Sequence, residues 1–159
     1  MAATPKYRLL TLEELQSLEK EFVDYLVVNG ITADEWVRIK ESEKEKAEDI
    51  IALFSDVVFE GIMRKVKFLE FVSSQEVQTF QCLDSKMVLV GMRSKHPDHD
   101  FTNAAFISEA AVNPPQGIEI YTLDKSYEGV REVELFKMTE NGCYISDGKL
   151  FKALSLGLS

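Results

Sequence analysis

The chain predicts an α+β fold: N-terminal helices packed on a small, at least partly antiparallel sheet, with further helices towards the C-terminus. Three observations carry this. Helix-start signals recur through the first third. After about Lys65 the pattern changes to β-branched and aromatic runs. Two of those runs are separated by a turn short enough to make them antiparallel neighbours.

The first helix starts at a capping box, Thr11-Leu12-Glu13-Glu14. The Thr11 hydroxyl accepts from the Glu14 amide while the Glu14 carboxylate reaches back, with Leu10 and Leu15 as the staple. Leu15, Leu18, Phe22 and Leu26 follow at helical spacing, and Asn29-Gly30 supplies the stop. A second box, Thr32-Ala33-Asp34-Glu35, has Ile31 and Trp36 as its staple. Ser42-Glu43-Lys44-Glu45 reads as a third, opening a long helix with Ala47, Ile50, Phe54, Val57 and Gly61 or Ile62 on one face. The three segments share no common period, so they are not a solenoid repeat.

Val66 to Val72 reads as a strand. Val77–Leu83 and Met87–Met92 read as two more, joined at Asp84-Ser85. Arg93 to Asn103 is polar and forms a loop. Ala104 to Val112 forms a short helix ended by Asn113-Pro114-Pro115. Gly117 to Leu123 alternates as a half-buried strand does. Ser126 to Glu140 is ambiguous: its length and the Asn141-Gly142 stop favour helix, but its apolar residues form no clean stripe. Cys143 to Ile145 is extended, Asp147 caps a last helix carrying Leu150, Phe151 and Leu154, and the tail to Ser159 frays.

The 159 residues make one domain, 1–159, with a helical part at about 8–65 and a mixed part at about 66–155. A chain of this length buries about 70% of its unfolded surface and needs no staples. Acidic residues number 27 against 18 basic ones, a net charge of -9. That balance speaks against nucleic acid, which is held by Lys and Arg on phosphates, and against anionic membranes. The N-terminus lacks the apolar run of a signal peptide, and no segment is long and apolar enough to span a bilayer. Two cysteines, Cys82 and Cys143, do not make a disulfide scaffold, so the cytoplasm is the expected compartment.

The most suggestive segment for chemistry is His96-Pro97-Asp98-His99-Asp100, which holds both histidines of the chain. Imidazole and carboxylate suit zinc, manganese or iron, and a turn at Pro97 would point His96 and His99 the same way. A catalytic metal still needs a third ligand from elsewhere. His, Asp and Pro are also ordinary residues of a solvated loop, so no metal or cofactor is expected; if one binds, His96 and His99 hold it. The cysteines fit packing better than nucleophilic chemistry. Gly-rich phosphate loops, a G-x-S-x-G elbow and an H-E-x-x-H pair are all missing.

Several stretches together resemble a family of small bacterial proteins with no assigned activity: Tyr7-Arg8 through Thr11 to Leu15, Leu53 to Val58, Thr79-Phe80 with Cys82, Glu134 to Met138, and Ile145 to Gly148 with Phe151. These are mostly packing and capping residues spread over nearly the whole chain. The resemblance implies a domain of unknown function, tilts the stretch from Ser126 to Glu140 towards helix, and supplies no site residues.

With no catalytic constellation in view, an enzyme is not expected. The leading expectation is a non-catalytic, acidic cytoplasmic module that binds another protein or forms a homodimer, through apolar residues exposed on its first helix. The alternatives are a metal-dependent hydrolase built on His96, Asp98, His99 and Asp100, and a small-molecule-binding domain with its pocket between sheet and helices.

Overall fold

Capping chemistry places the first helices. In the structure, a computed structural model describing residues 4–158, Thr11 accepts from the Glu14 amide and the Glu14 carboxylate accepts from the Thr11 amide. Helix α1 (Leu12–Ser17) follows, and after a one-residue break at Leu18 comes α2 (Glu19–Val28). The single helix expected across Leu15–Leu26 is therefore two. Gly30, at φ 73°, ends α2 in the left-handed region. Thr32 caps α3 (Ala33–Ser42) by accepting from the Glu35 amide.

The third expected box does not form. Ser42 is the last residue of α3, and Glu43 alone separates it from the long α4 (Lys44–Lys65). The face of α4 also differs from expectation. Ala47, Ala52, Phe54, Ser55, Phe59 and Met63 are buried, whereas Val57 and Ile62 are exposed. Apolar residues run round most of this helix, so spacing alone could not choose among its faces.

The chain divides into two compact units, residues 1–64 and 65–159. In the first, Phe22 packs edge-on against Trp36 and Phe54, and Tyr25 tilts against Phe54. The segment before α1 is tied to α4: Asp56 accepts from the amides of Lys6 and Tyr7, and the Ser55 hydroxyl accepts from the amide of Leu10.

The second unit holds a five-stranded sheet with the order β4-β3-β2-β1-β5, antiparallel at every pairing. Its strands are β1 (Phe68–Val72), β2 (Glu76–Cys82), β3 (Lys86–Arg93), β4 (Glu119–Ser126) and β5 (Tyr144–Ser146). Helix α5 (Ala104–Val112) and helix α7 (Lys149–Leu156) cover one face, on a core of Phe68, Val77, Val90, Met92, Phe151 and Leu154. The ambiguous stretch resolves into the end of β4, a turn, and α6 (Arg131–Glu140). Gly148 takes the N-cap position of α7 at φ 82°, while Asp147 caps from one residue further out by accepting from the Lys149 amide. Residues 1–3 and Ser159, the ends of the two terminal segments read above, lie outside the described residues. These elements bear out the α+β class. Among the described residues no helix is long and apolar enough to cross a membrane.

Candidate functional site

The segment from His96 to Asp100 is a loop, as expected, and is braced at both ends. The Ser94 amide donates to the Gln75 carbonyl, and the Phe101 amide donates to the Ser74 carbonyl. Phe101 is fully buried, so the loop hangs from a core anchor. Within it the His96 and His99 rings stack at 4.6 Å between centroids and 30° between planes, and His99 stacks on Phe106.

This stacking governs what the imidazoles can do. Lone pairs lie in the ring planes, so near-parallel rings aim theirs side by side rather than at one point. The Nδ1 atoms are already engaged: His96 Nδ1 accepts from the Asp98 amide, and His99 Nδ1 shares a 2.7 Å hydrogen bond with the Ser94 hydroxyl. Asp98 is largely exposed. The Asp100 carboxyl is held below its usual range by the hydroxyl and amide of Thr102, an arrangement that folds the turn. Among the described residues no three His, Cys, Asp or Glu side chains gather as a metal site needs.

A better-formed feature lies in the helical unit. A groove of about 570 Å³ is lined by Tyr25 from α2, by Leu53, Val57 and Gly61 from α4, and by a charged rim of Lys6, Asp56, Glu60 and Arg64. Leu53, Val57 and Gly61 are four residues apart in turn, so they form one stripe along the helix. Leu53 is 56% exposed and Val57 57%, high values for branched aliphatic side chains. Gly61 leaves the far end of the stripe open, because a Cβ there would meet nothing within 4 Å.

The rim is rigid. Glu60 accepts from Lys6 Nζ and from the Tyr7 hydroxyl, each at 2.9 Å or less. The Lys6 ammonium leads in holding the Glu60 carboxyl below its usual range, with Tyr7 and Arg64 adding to it. Drawn at the structural boundary, the helical unit carries 14 acidic and 8 basic residues, a net charge of -6. Lys65 and Lys67 belong to the sheet unit.

Helical spacing places Val57 on the buried face and Leu53 on none, whereas both are exposed. The signal was present as a second apolar i, i+4 pair on an already amphipathic helix.

The fold and groove together define a small acidic α+β protein with an apolar helix face held open to solvent. The chain belongs to a family of unknown function (DUF6495), whose model matches residues 1–158. Comparison with curated proteins and with solved structures found no match in either set.

Proposed function

We propose that the groove on α4 docks a basic amphipathic helix from a partner protein. The observation that carries this reading is the exposed pair Leu53 and Val57, set on the floor of a groove within a unit of net charge -6. An amphipathic helix recognises such a surface by laying an i, i+3, i+4 face into the groove. Acidic surroundings raise the encounter rate of a basic partner and repel an acidic one. A second copy of the chain brings the same negative charge, so self-association through this groove is disfavoured. The contact surface differs from the one expected on the first helix, since α4 supplies most of the floor. A reducing cytoplasm is in keeping with the two free thiols.

The test titrates the full-length protein with a designed amphipathic Leu/Lys helix and with its Leu/Glu counterpart, following backbone amide shifts. The Leu/Lys helix binds, with shifts centred on Leu53, Val57 and Gly61. The double variant Leu53→Asp/Val57→Asp weakens it by about tenfold or more, as loss of a central apolar anchor does. Both side chains are exposed, so the variant folds. Unchanged affinity, or shifts spread evenly over the acidic surface, defeats the reading. A dimer that the same variant dissolves would assign the groove to a second copy instead.

A further inference from the structure

The sheet unit contains a carboxylate where the strand pattern calls for an apolar residue. Glu70 lies between Phe68 and Val72 on β1, two residues from each, and therefore shares their face under α5 and α7. It is 8% exposed. Among the described residues its carboxylate accepts from the Tyr144 hydroxyl on the neighbouring strand β5, which donates to Oε1 at 2.9 Å; the register sets these two residues opposite each other. Burial, and then the Glu70 carboxylate, push the Tyr144 phenol up to about 12, so it remains a donor at neutral pH.

The other oxygen, Oε2, accepts from no described residue. Among the described residues every fully enclosed side-chain oxygen and nitrogen has a partner. Oε2 is therefore not fully enclosed, and Glu70 lines a cavity beside it.

That cavity measures about 410 Å³, within the range of small-molecule sites. Ala104, Ile107, Ser108, Ala111 and Val112 line it from α5, at the spacing of one helical face. Leu150 and Ala153 line it from α7, and Tyr144 from β5. The alanines leave the space that larger side chains would fill. Lys149 also reaches the rim, but its ammonium is 3.7 Å from Asp147 and its side chain is 89% exposed. The cavity thus offers apolar walls and a carboxylate with one oxygen that no described donor meets. A carboxylate in such a place costs free energy unless a donor or cation meets it.

We propose that this cavity binds the primary ammonium group of a small organic amine, with Glu70 Oε2 as the acceptor and the α5 and α7 walls holding an apolar body. The ammonium supplies both charge and N–H donors to an oxygen that has neither. Ile107, Ala111, Leu150 and Ala153 set apolar surface beside the contact, which strengthens it. The site shares no residue with the groove on α4 and is independent of its function.

The experiment titrates the full-length protein with hexylamine, hexanol and hexanoate at neutral pH, following methyl shifts of Ile107, Ala111, Leu150 and Ala153. Hexylamine saturates these shifts, hexanol binds about tenfold or more weakly, and hexanoate does not bind. Glu70→Gln lowers the hexylamine affinity to the hexanol level and leaves hexanol unchanged. Ala153→Phe fills the cavity from its wall without touching the carboxylate and removes binding of both hexylamine and hexanol, which keeps the test decisive if Glu70→Gln fails to fold. Equal affinity for amine and alcohol overturns the proposal. So does amine binding that survives Ala153→Phe, which would mark general attraction to an acidic protein.

Discussion

The phenol ring of Tyr121 lies across Gly91, its partner in the β3–β4 register. A Cβ built at Gly91 would stand 2.5 Å from Tyr121 Cζ, closer than real side chains come. The ring position is in turn held by its hydroxyl, which donates to the Glu76 carboxylate and accepts from Gln78 Nε2. Arg93 stacks on the ring at 4.5 Å and pairs with Glu119 through two hydrogen bonds. A glycine that would ordinarily weaken a strand is covered by an aromatic ring from the strand beside it.

Gly91→Ala is therefore expected to destabilise the protein by about 1–3 kcal/mol, because the methyl displaces the ring from Glu76 and Gln78. The effect is specific to the pair. In a Tyr121→Ala background the same substitution should cost far less, since the obstructing ring is gone. Urea unfolding of the double-mutant cycle measures the coupling, and an equal cost in both backgrounds would refute it.

Arg131 is a structural tie of the sheet unit. Its guanidinium donates to the carbonyls of Val66, Cys82 and Leu83, and also pairs with Glu132. One side chain thus ties the start of α6 to the chain ends around β1 and β2. Arg131→Met should cost about 1–3 kcal/mol by leaving those carbonyls without their donor. Arg131→Lys should recover only part of this, because a single ammonium cannot reproduce the fork. Thermal unfolding midpoints of the two variants test the order.

Acid should weaken the first capping box. Two hydrogen bonds from Arg8, and then the Thr11 amide, lower the Glu14 carboxyl to about 2. The folded value lies below the unfolded one, so the unfolded state binds more protons as pH falls. The stabilisation is fully present above the unfolded value near 4.3 and is lost as pH drops towards 2. Glu14 is 37% exposed, so solvent screening keeps the effect within about 1 kcal/mol. Glu14→Gln should flatten the acid limb of the stability profile over this window; an identical limb in the variant would argue against it.

Both thiols should be sluggish. Burial pushes Cys82 up to about 11 and raises Cys143 as well. At pH 8 a thiol of that value is ionised in only about one molecule in a thousand, and the thiolate is the reactive form. Cys82 should therefore react with a disulfide reagent only as fast as the protein opens, and both cysteines should react at once in denaturant. Rapid labelling of Cys82 in the native protein would contradict its buried setting.

Helix starts were the most legible part of the fold, because a capping box is satisfied within four residues and owes nothing to the rest of the chain. Thr11 forms its full box, and Thr32 accepts from the Glu35 amide, the first half of its own. Ser42 fails, because α3 runs through it before the chain turns at Glu43. The hairpin between β2 and β3 was equally local, as was the helix from Ala104 to Val112. The stretch from Ser126 to Glu140 was not, since it contributes first to a strand and then to a helix.

The candidate sites divide in the same way. A run such as His96 to Asp100 attracts notice because its residues are adjacent, yet adjacency does not say where rings point. Only the folded loop stacks them. Glu70 and Tyr144 are 74 positions apart and become neighbours through strand pairing alone. Leu53 and Val57 are apolar in the sequence and exposed in the structure, a contrast that no composition reveals.

The sequence by itself determined the α+β class, the acidic charge and the capped helix starts, because each rests on short-range chemistry or on simple residue counts. Tertiary structure alone decided the strand order, which face of α4 meets solvent, and the burial of a carboxylate beneath α5 and α7. Those outcomes depend on contacts between residues far apart in the chain, and such contacts come into being only when the chain packs.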